Sequence, residues 1–253
     1  MAQASAFDVE FEAAFPGVTQ REKDRLVATL DAIPSDAKRA LEVGFLELGM
    51  TRLLDRRLDL VSIDLPLNKS LPKEFKLAYA SIEGLPFADR HFDIIVCTEV
   101  LEHLPEQTFR RGIRELERVS ARYLLVSVPY RQRVWNEYYK CSHCGYVGNS
   151  MNHLRYFDEK SVGAMFPEFS LTEQKLIGDI AGYAPDFLYR LARSVGNVWA
   201  TRTWKCSNCK KMPEEIRPNL FGAALRRVIW RLEKAAPKRK CWSICLLERR
   251  VAT

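Results

Sequence analysis

Three ionisable residues follow directly on an apolar run in the segment FDIIVCTEVLEHLPEQ, residues 92–107. Glu99, Glu102 and His103 have i, i+3, i+4 spacing, so a single helical turn would place them on one face. Burying such a face without a ligand costs free energy. Three interpretations are open. The carboxylates satisfy backbone or arginine partners while His103 is a packed side chain, or His103 is a general base suited to neutral pH, or the cluster holds a divalent cation.

Four cysteines form two C-x2-C pairs, CSHCG at 141–145 and CSNCK at 206–210. Each pair can bind a metal ion through two thiolates, and two pairs complete the tetrahedron of a structural zinc site. Four buried thiols or a redox pair are the alternatives, and neither motif opens a thioredoxin-like helix. The predicted zinc ligands are Cys141, Cys144, Cys206 and Cys209, with His143 and His153 as substitutes. We expect the other cysteines, Cys97, Cys241 and Cys245, to be core residues of strands.

A parallel sheet is predicted to position these residues, because short apolar runs alternate with helical patterns. The predicted strands are 39–44, 58–64, 75–82, 92–99 and 122–129, with helices at 51–57 and 109–120. In such sheets, ligands bind beyond the carboxyl ends of the strands. Gly44, Asp64, Ser81, Glu99 and Pro129 fall at those ends.

The flanking segments have their own signals. A helical pattern covers residues 8–37, where Thr19 and Glu22 fit a capping box. Further along, the patterns predict a helix at 158–166, a strand at 170–179 and a final strand at 241–250. Residues 219–240 form a basic amphipathic helix, which we expect to dock on a core, with an anionic membrane surface as the alternative.

Four motifs, in this order and spacing, resemble the class I S-adenosylmethionine-dependent methyltransferases, in particular those of type 11. They are LEVG at 41–44, Asp64, SIEGLPFADRHFDIIV at 81–96 and EVLEHL at 99–104. The resemblance covers residues 39–178 and resumes at 241–250. It implies an α/β Rossmann-like fold with a mostly parallel seven-stranded sheet and helices on both faces. It also implies that Asp64 accepts hydrogen bonds from both ribose hydroxyls of S-adenosylmethionine. The implied cofactor-binding residues are Glu42, Gly44, Gly49, Asp64, Ser81, Ile82 and Glu99.

The sequence departs from the family pattern in two places. The family usually has three alternating glycines, whereas EVGFLELGM keeps Gly44 and Gly49 with four larger residues between them. Such residues in a tight turn either bend the backbone differently or cover the cofactor. Ser81 stands where the family often has an aspartate that contacts adenine.

The E-x-x-E-H pattern resembles the metal site of small-RNA 2′-O-methyltransferases and of some quinone-biosynthesis O-methyltransferases. The resemblance implies Mg²⁺ or Mn²⁺ bound by this cluster, and His153 is placed to serve as the later histidine of the RNA enzymes. The candidate catalytic residues are therefore Glu99, Glu102, His103 and His153.

Composition and charge limit the class of protein. The chain is 47% hydrophobic and 28% charged, without the ~18 consecutive apolar residues of a transmembrane span. The N-terminus lacks the features of a secretory signal, so we expect a cytoplasmic protein, with peripheral association at the inner membrane as an extension. Residues 181–253 contain 16 Lys and Arg against 5 Asp and Glu. This basic third is either a solvated surface or faces phosphate, nucleic acid or anionic lipid.

We therefore expect four parts: an N-terminal helical segment at 1–38, a cofactor-binding core at 39–178, a basic insertion at 179–240 that zinc pins as a substrate-recognition lid, and the final strand at 241–253. The expected reaction is methyl transfer to an oxygen of a small molecule, such as a sugar or a lipid-linked glycan. The alternatives are metal-dependent RNA 2′-O-methylation, with nucleic acid as the partner, and a degenerate methyltransferase fold that serves as a binding subunit.

Overall fold

The computed structural model describes residues 17–45, 48–66 and 71–251. The chain divides into two compact units. Unit 1 contains the described residues up to Tyr130, Phe157–Gly178, and those from Trp242 onward. Unit 2 contains Arg131–Tyr156 and Asp179–Cys241. The first C-x2-C pair therefore belongs to the same unit as the second.

Seven strands form one sheet of order β3-β2-β1-β4-β5-β9-β8, and β6 and β7 form a separate hairpin. The strands are β1 Arg39–Val43, β2 Asp59–Asp64, β3 Leu77–Tyr79, β4 Phe92–Thr98, β5 Ser120–Pro129, β6 Tyr138–Lys140, β7 Val147–Asn149, β8 Phe169–Ile180 and β9 Arg239–Arg249. The pairs from β3 to β5 are parallel, and β9 is antiparallel to β5. The prediction of a mostly parallel seven-stranded sheet is confirmed.

Six helices are described: α1 Gln20–Asp31, α2 Gly49–Asp55, α3 Glu106–Val119, α4 Ser161–Met165, α5 Asp186–Ser194 and α6 Leu220–Ala235. Side chains alternate between the two faces of a strand, and the core follows this period. Ile94 packs in a cluster with residues of α1 and α2. Its neighbour Ile95 packs in a second cluster with residues of α3 and α4. Helices therefore cover both faces of the sheet, as predicted.

Helix α1 starts at the predicted capping box. The Thr19 hydroxyl accepts from the Glu22 backbone N–H, and the Glu22 carboxylate accepts from the Thr19 backbone N–H. The predicted helical segment was longer, at 8–37. Its residues 8–16 lie outside the described residues, and the described helix ends at Asp31, ahead of Pro34.

Unit 2 is built around the packing of α5 on α6. Their buried contacts come from Tyr189 and Ala192 on one side and from Leu225 and Ile229 on the other. The expectation that the basic helix docks on a core therefore holds for the face of α6 that carries Leu225 and Ile229. Trp230, on the same helix, remains 54% exposed. Within the described residues, none of the helices combines the length and apolar character that a membrane span requires.

Candidate functional site

A cavity of about 510 Å³ lies in unit 1 at the carboxyl ends of β1, β2 and β4. Every residue that the sequence implied for cofactor binding lines it, and so do two of the candidate catalytic residues, Glu99 and His103. They are Glu42, Gly44, Gly49, Asp64, Ser81, Ile82, Glu99 and His103. This volume falls in the range of small-molecule pockets, roughly 300–1,000 Å³. The strand ends thus bring together residues spread over about 60 positions of sequence.

Asp64 ends β2 with its carboxylate fixed by two backbone groups. One oxygen accepts from the Phe45 N–H at 3.0 Å and the other from the Leu65 N–H at 2.7 Å. An ionised carboxylate has about four acceptor positions, so each oxygen retains one further position. The geometry is compatible with the bidentate acceptance of two hydroxyls that the sequence predicted.

Gly44 follows β1 in a conformation that requires glycine. Its φ is +89°, and a Cβ atom there would lie 2.7 Å from the Val100 side chain. Further along the turn, Leu48 has φ 58° and lines the cavity. A left-handed non-glycine residue is uncommon, so the altered glycine loop both bends differently and places a leucine on the cavity wall. Leu46 and Glu47 lie outside the described residues.

Glu42 lies beneath this turn and is 3% exposed. One of its carboxylate oxygens accepts from the hydroxyls of Thr51 and Ser62, each at 2.7 Å. Burial raises the pKa of Glu42 to about 7, although both hydrogen bonds act in the opposite direction. The acid that precedes Gly44 is therefore a structural link between β1, α2 and β2 as well as a cavity residue.

Ser81 and Ile82 line the cavity from a turn that follows β3. The Ser81 hydroxyl accepts from the Glu83 backbone N–H at 3.2 Å, so it caps this turn. Ile82 is 6% exposed and belongs to the core. Strand β3 is shorter than the predicted 75–82, because Ala80–Ile82 leave the sheet to form the cavity wall.

The single helical turn expected to carry Glu99, Glu102 and His103 is not formed, which corrects that part of the sequence-based prediction. The backbone takes a left-handed conformation at Glu99, with φ 56°, and a 3₁₀ turn covers Leu101–His103. Glu99 accepts from the Ser127 hydroxyl at 2.7 Å and from the Trp242 indole N–H at 3.0 Å. This carboxylate is therefore satisfied by side chains of β5 and β9.

Glu102 is fully buried, and neither carboxylate oxygen has a hydrogen-bond partner in the described part of the chain. Burial, and then the neighbouring Glu99, raise the pKa of Glu102 well above its usual range. His103 is exposed and lines the cavity, with a ring nitrogen within 4.8 Å of a Glu102 oxygen. His153 belongs to unit 2, where its Nδ1 contacts the Gln132 side chain.

The four cysteines of the C-x2-C pairs form one cluster in unit 2, with all four sulfurs within 4.8 Å of one another. The Cys141 and Cys209 sulfurs are 3.7 Å apart, and those of Cys144 and Cys206 are 3.8 Å apart. The predicted substitute ligand His143 instead bonds the Met212 carbonyl at 2.9 Å through Nε2. Of the cysteines predicted as core residues, Cys97 and Cys245 are buried, whereas Cys241 is partly exposed.

Two residues of the site, one lining the cavity and one bonded to Glu99 behind it, were missed by the sequence analysis. Arg25 of α1 lines the cavity, and its guanidinium carbon lies 5.2 Å from the centre of the Trp242 ring. Trp242 in turn bonds Glu99. No motif marks either residue, because the contacts join positions more than 140 residues apart. The regular Arg21–Arg25 spacing on α1 was the available signal, since both stack on this indole.

Residues 41–123 match the model of a family described as a methyltransferase domain. Three S-adenosylmethionine-dependent methyltransferases of solved structure are similar in fold. They come from Thermotoga maritima (12% identity, 90% of this chain and 89% of that chain covered, TM-score 0.51), Archaeoglobus fulgidus (12%, 97% and 100%, 0.51) and Methanosarcina mazei (12%, 89% and 98%, 0.51). The comparison with curated proteins gave no match. The chain has the Rossmann-like fold of class I S-adenosylmethionine-dependent methyltransferases.

Proposed function

We propose that this chain is an S-adenosylmethionine-dependent methyltransferase that methylates an oxygen of a small molecule, such as a sugar or a lipid-linked glycan. The observation that carries the proposal is the cavity at the carboxyl ends of β1, β2 and β4. It pairs an acid at the end of β2 with a glycine turn after β1, in a chain whose residues 41–123 match a methyltransferase family. Ligands of open α/β sheets bind at this edge.

In this proposal the parts of the methyl donor follow the order of the strands. Adenine lies against Ile82 beyond β3, and the two ribose hydroxyls donate to Asp64 at the end of β2. The methionine part passes the turn at Gly44 and reaches the end of β4. The open backbone at Gly44 allows this close approach, because a side chain there would meet Val100.

The reaction is an in-line displacement at the methyl carbon. A bond forms from the acceptor oxygen to this carbon while the carbon–sulfur bond breaks, and the thioether product leaves with the electron pair. The acceptor hydroxyl loses its proton, for which we assign the exposed His103 at the cavity, since a neutral imidazole accepts protons near neutral pH. The remaining contribution of the chain is alignment of the two reactants.

The buried carboxylate of Glu102 favours a second candidate, a metal-dependent transfer such as RNA 2′-O-methylation. A buried carboxylate without hydrogen-bond partners in the described residues is costly, and a divalent cation shared with His103 would offset this cost. Mg²⁺ or Mn²⁺ is the expected ion, and His153 stays the predicted further ligand. The non-enzymatic alternative is a degenerate fold that binds ligands as a subunit of a larger assembly.

We also propose a structural zinc ion in unit 2, bound by the four clustered cysteines. With Zn–S bonds of ~2.3 Å, the sulfurs of a tetrahedral site lie ~3.8 Å apart. Two of the sulfur pairs are at 3.7 and 3.8 Å, far beyond a disulfide bond of ~2.05 Å. The Tyr139 hydroxyl donates to the Cys206 sulfur, and the Asn208 amide donates to the Cys144 sulfur. Such outer donors stabilise thiolate ligands.

We assign unit 2 to recognition of the acceptor. The outer surface of α6 carries Arg226, Arg227 and Lys234, with Trp230 half-exposed among them. These basic and aromatic side chains suit an acidic ligand or an anionic membrane surface. If the partner is a membrane, the protein, which we expect to be cytoplasmic, would associate peripherally with the inner membrane. Nucleic acid is the competing partner, and strong salt dependence of RNA binding would favour it.

Calorimetry with S-adenosylhomocysteine tests the enzyme assignment. Asp64→Ala should weaken binding by about 1.5–3 kcal/mol, the scale of hydrogen bonds to a charged group. Asp59→Ala is the matched control, since Asp59 lies at the other end of β2 and pairs with Lys76. No binding by the unmodified chain would support the degenerate fold, and unchanged affinity in Asp64→Ala would remove this residue from the site. Transfer of labelled methyl groups to glycan or RNA fractions would then separate the acceptors.

A further inference from the structure

We propose that unit 2 contains a phosphate-binding site, formed by Lys140, Arg190 and Arg193, that takes a phosphate or diphosphate group of the methyl acceptor. The inference rests on the proposed function and deepens the assignment of unit 2 to acceptor recognition, because it names the chemical group that is recognised. These residues belong to β6 and α5, whereas the basic surface described above belongs to α6.

The three cations line one open pocket of about 550 Å³. The other residues of its wall are uncharged: Ser194, Val195, Asn197 and Trp199. In the part of the chain that the structure describes, no acidic side chain therefore lines this pocket. A cleft lined by charges of one sign concentrates the field and attracts ions of the opposite sign, so the pocket suits an anion.

Nearby carboxylates do not neutralise these cations. Asp186, at the start of α5, is bonded by the Arg133 guanidinium at 2.8 Å. Glu214 and Glu215 line a cavity of about 30 Å³ that shares a wall with the pocket. Across the described ranges, none of the three cations forms an ion pair or a side-chain hydrogen bond with a carboxylate. Their charges are therefore available to a ligand.

Aromatic contacts hold two of the cations in place. The guanidinium carbon of Arg193 lies 5.7 Å from the centre of the Tyr138 ring, and the Lys140 Nζ lies 5.8 Å from the centre of a Trp199 ring. Both distances are within the ~6 Å range of a cation–π contact. Such a contact restricts the side chain without using its N–H groups as directed donors, so these groups remain able to bind phosphate oxygens.

The backbone around the pocket is fixed by contacts within unit 2. The two arginines are i, i+3 neighbours on α5 and therefore lie on one face of the helix. The Ala200 backbone N–H donates to the Tyr138 carbonyl at 3.0 Å, which joins the segment after α5 to β6. Lys140 directly precedes Cys141, which is buried in the cysteine cluster. The convergence of α5 and β6 on the pocket is thus built into the fold of this unit.

The helix dipole of α5 explains a part of this arrangement. Arg193 lies in the last turn, where the negative end of the helix favours a cation. Lys140 comes from a different element, so the dipole does not explain why its charge joins those of the arginines. Burial lowers the pKa of Arg193, because it disfavours the charged form, and a bound anion would offset that cost.

The chemistry of the donors favours phosphate among anions. Guanidinium groups bind phosphate oxygens in bidentate geometry, and the lysine ammonium adds a compact charge. A phosphate monoester carries a charge of about −1.5 to −2 near pH 7 and three acceptor oxygens. Three converging cations match this group better than the single charge of a carboxylate. Trp199 adds an aromatic wall on which a base or sugar ring can stack.

Calorimetry with inorganic diphosphate, at one fixed salt concentration and without added metal, tests the site in the full chain. The double variant Arg190→Gln and Arg193→Gln should weaken binding about 10-fold or more, the scale of charge-assisted hydrogen bonds. The matched control, Arg226→Gln with Arg227→Gln, removes the same charge from exposed positions of α6 and should change the affinity less than about 2-fold. Lys140→Gln, a single change on β6, should also weaken binding, so the test does not depend on the helix variant alone.

Two further probes separate the sources of the phosphate group. Uridine diphosphate glucose represents a soluble nucleotide sugar, and phosphatidylcholine vesicles that contain a polyprenyl diphosphate represent a lipid-linked group. Binding of either probe that falls in the pocket variant, and not in the α6 control, supports the site and identifies the source. Phosphatidylglycerol vesicles of equal surface charge are the reference for a general attraction to anionic membranes.

The outcomes separate this inference from the proposed function. Loss of diphosphate affinity confined to the pocket variants supports it. Equal loss in the pocket and α6 double variants overturns it, because the general positive charge of unit 2 would then be responsible, and so does an unmodified chain that binds single-stranded RNA but no diphosphate. If diphosphate binds in the pocket and S-adenosylhomocysteine does not bind the chain, the phosphate site stands and the methyltransferase assignment fails.

Discussion

Replacement of Cys206 by serine should release zinc from unit 2 and loosen that unit while unit 1 stays folded. Cys206 is fully buried in the cluster, and its sulfur lies 3.8 Å from that of Cys144 and 3.5 Å from the Tyr139 hydroxyl. Serine is a poor zinc ligand in this setting, because the site is matched to soft thiolates. Serine has the same branching as cysteine, is only slightly smaller and can still accept the Tyr139 hydrogen bond, so lost metal binding is the main perturbation.

The expected magnitude follows from the loop that the metal closes. The site joins Cys141 to Cys206, a loop of about 65 residues, and a cross-link of that length stabilises a chain by about 4 kcal/mol in the chain-entropy model. This is a large share of the ~5–15 kcal/mol that stabilises a typical domain. Amide exchange in the segments 131–156 and 179–241 should accelerate on the order of 10³-fold. The sheet of unit 1 has its own core on both faces, so its exchange should change little.

Elemental analysis and proteolysis check this expectation. The unmodified chain should carry about one zinc ion, and Cys206→Ser should carry much less and be cut first within unit 2. Cys241→Ser is the matched control, because this cysteine lies in β9 outside the four-sulfur cluster. A metal-free native protein with four freely titratable thiols would refute the zinc site. A Cys206→Ser variant that retains full zinc would remove Cys206 from it.

Two further measurements address unit 1. The pKa of Glu42 is raised from 4.5 to about 7 in the folded chain, so its contribution to stability is complete below about pH 4.5 and is lost as the pH rises through about 7. In urea unfolding, the ionisation of Glu42 should therefore lower the free energy of unfolding by up to about 3 kcal/mol between pH 5 and pH 8. The Glu42→Gln variant should lack that decrease. If the free energy of unfolding of the unmodified chain and of Glu42→Gln changes with pH in the same way, the role given to Glu42 is refuted. Methyl transfer should survive EDTA and fall about 10²–10⁴-fold in His103→Ala, with exposed His91→Ala as control. Loss with EDTA and recovery with Mg²⁺, together with a matching loss in Glu102→Ala, would instead favour the metal-dependent candidate.

The strand ends could be predicted from the sequence because they depend on local patterns. Apolar runs mark β1, β2 and β4, and each run stops where a polar residue or glycine meets the cavity. Gly44 and Asp64 were found in this way. The edge strand β3 was predicted too long, since Ala80 and Ile82 continue the apolar alternation of the strand but line the cavity instead.

The arrangement around Glu99 could not be predicted, because it depends on contacts far apart in sequence. The i, i+3, i+4 spacing presumed a helix, whereas the backbone turns left-handed at Glu99, a conformation that sequence patterns rarely mark in a residue other than glycine. Its partner Trp242 is 143 residues away. Helix α5 was also missed, since its short segment Asp186–Ser194 lies in a region where arginine and aromatic residues obscure the helical spacing of apolar residues.

The position of β9 explains why the two ends of unit 1 meet at one cavity. Because β9 runs antiparallel beside β5, it enters the sheet at the edge where the parallel strands finish, and Pro129 pairs with Trp242. That register brings the indole to Glu99 and beneath Arg25 of α1. Residues of β1, β2 and β4 and Arg25 of α1 therefore line the cavity proposed for the methyl donor, and Trp242 of β9 contacts Arg25 and Glu99 from behind them.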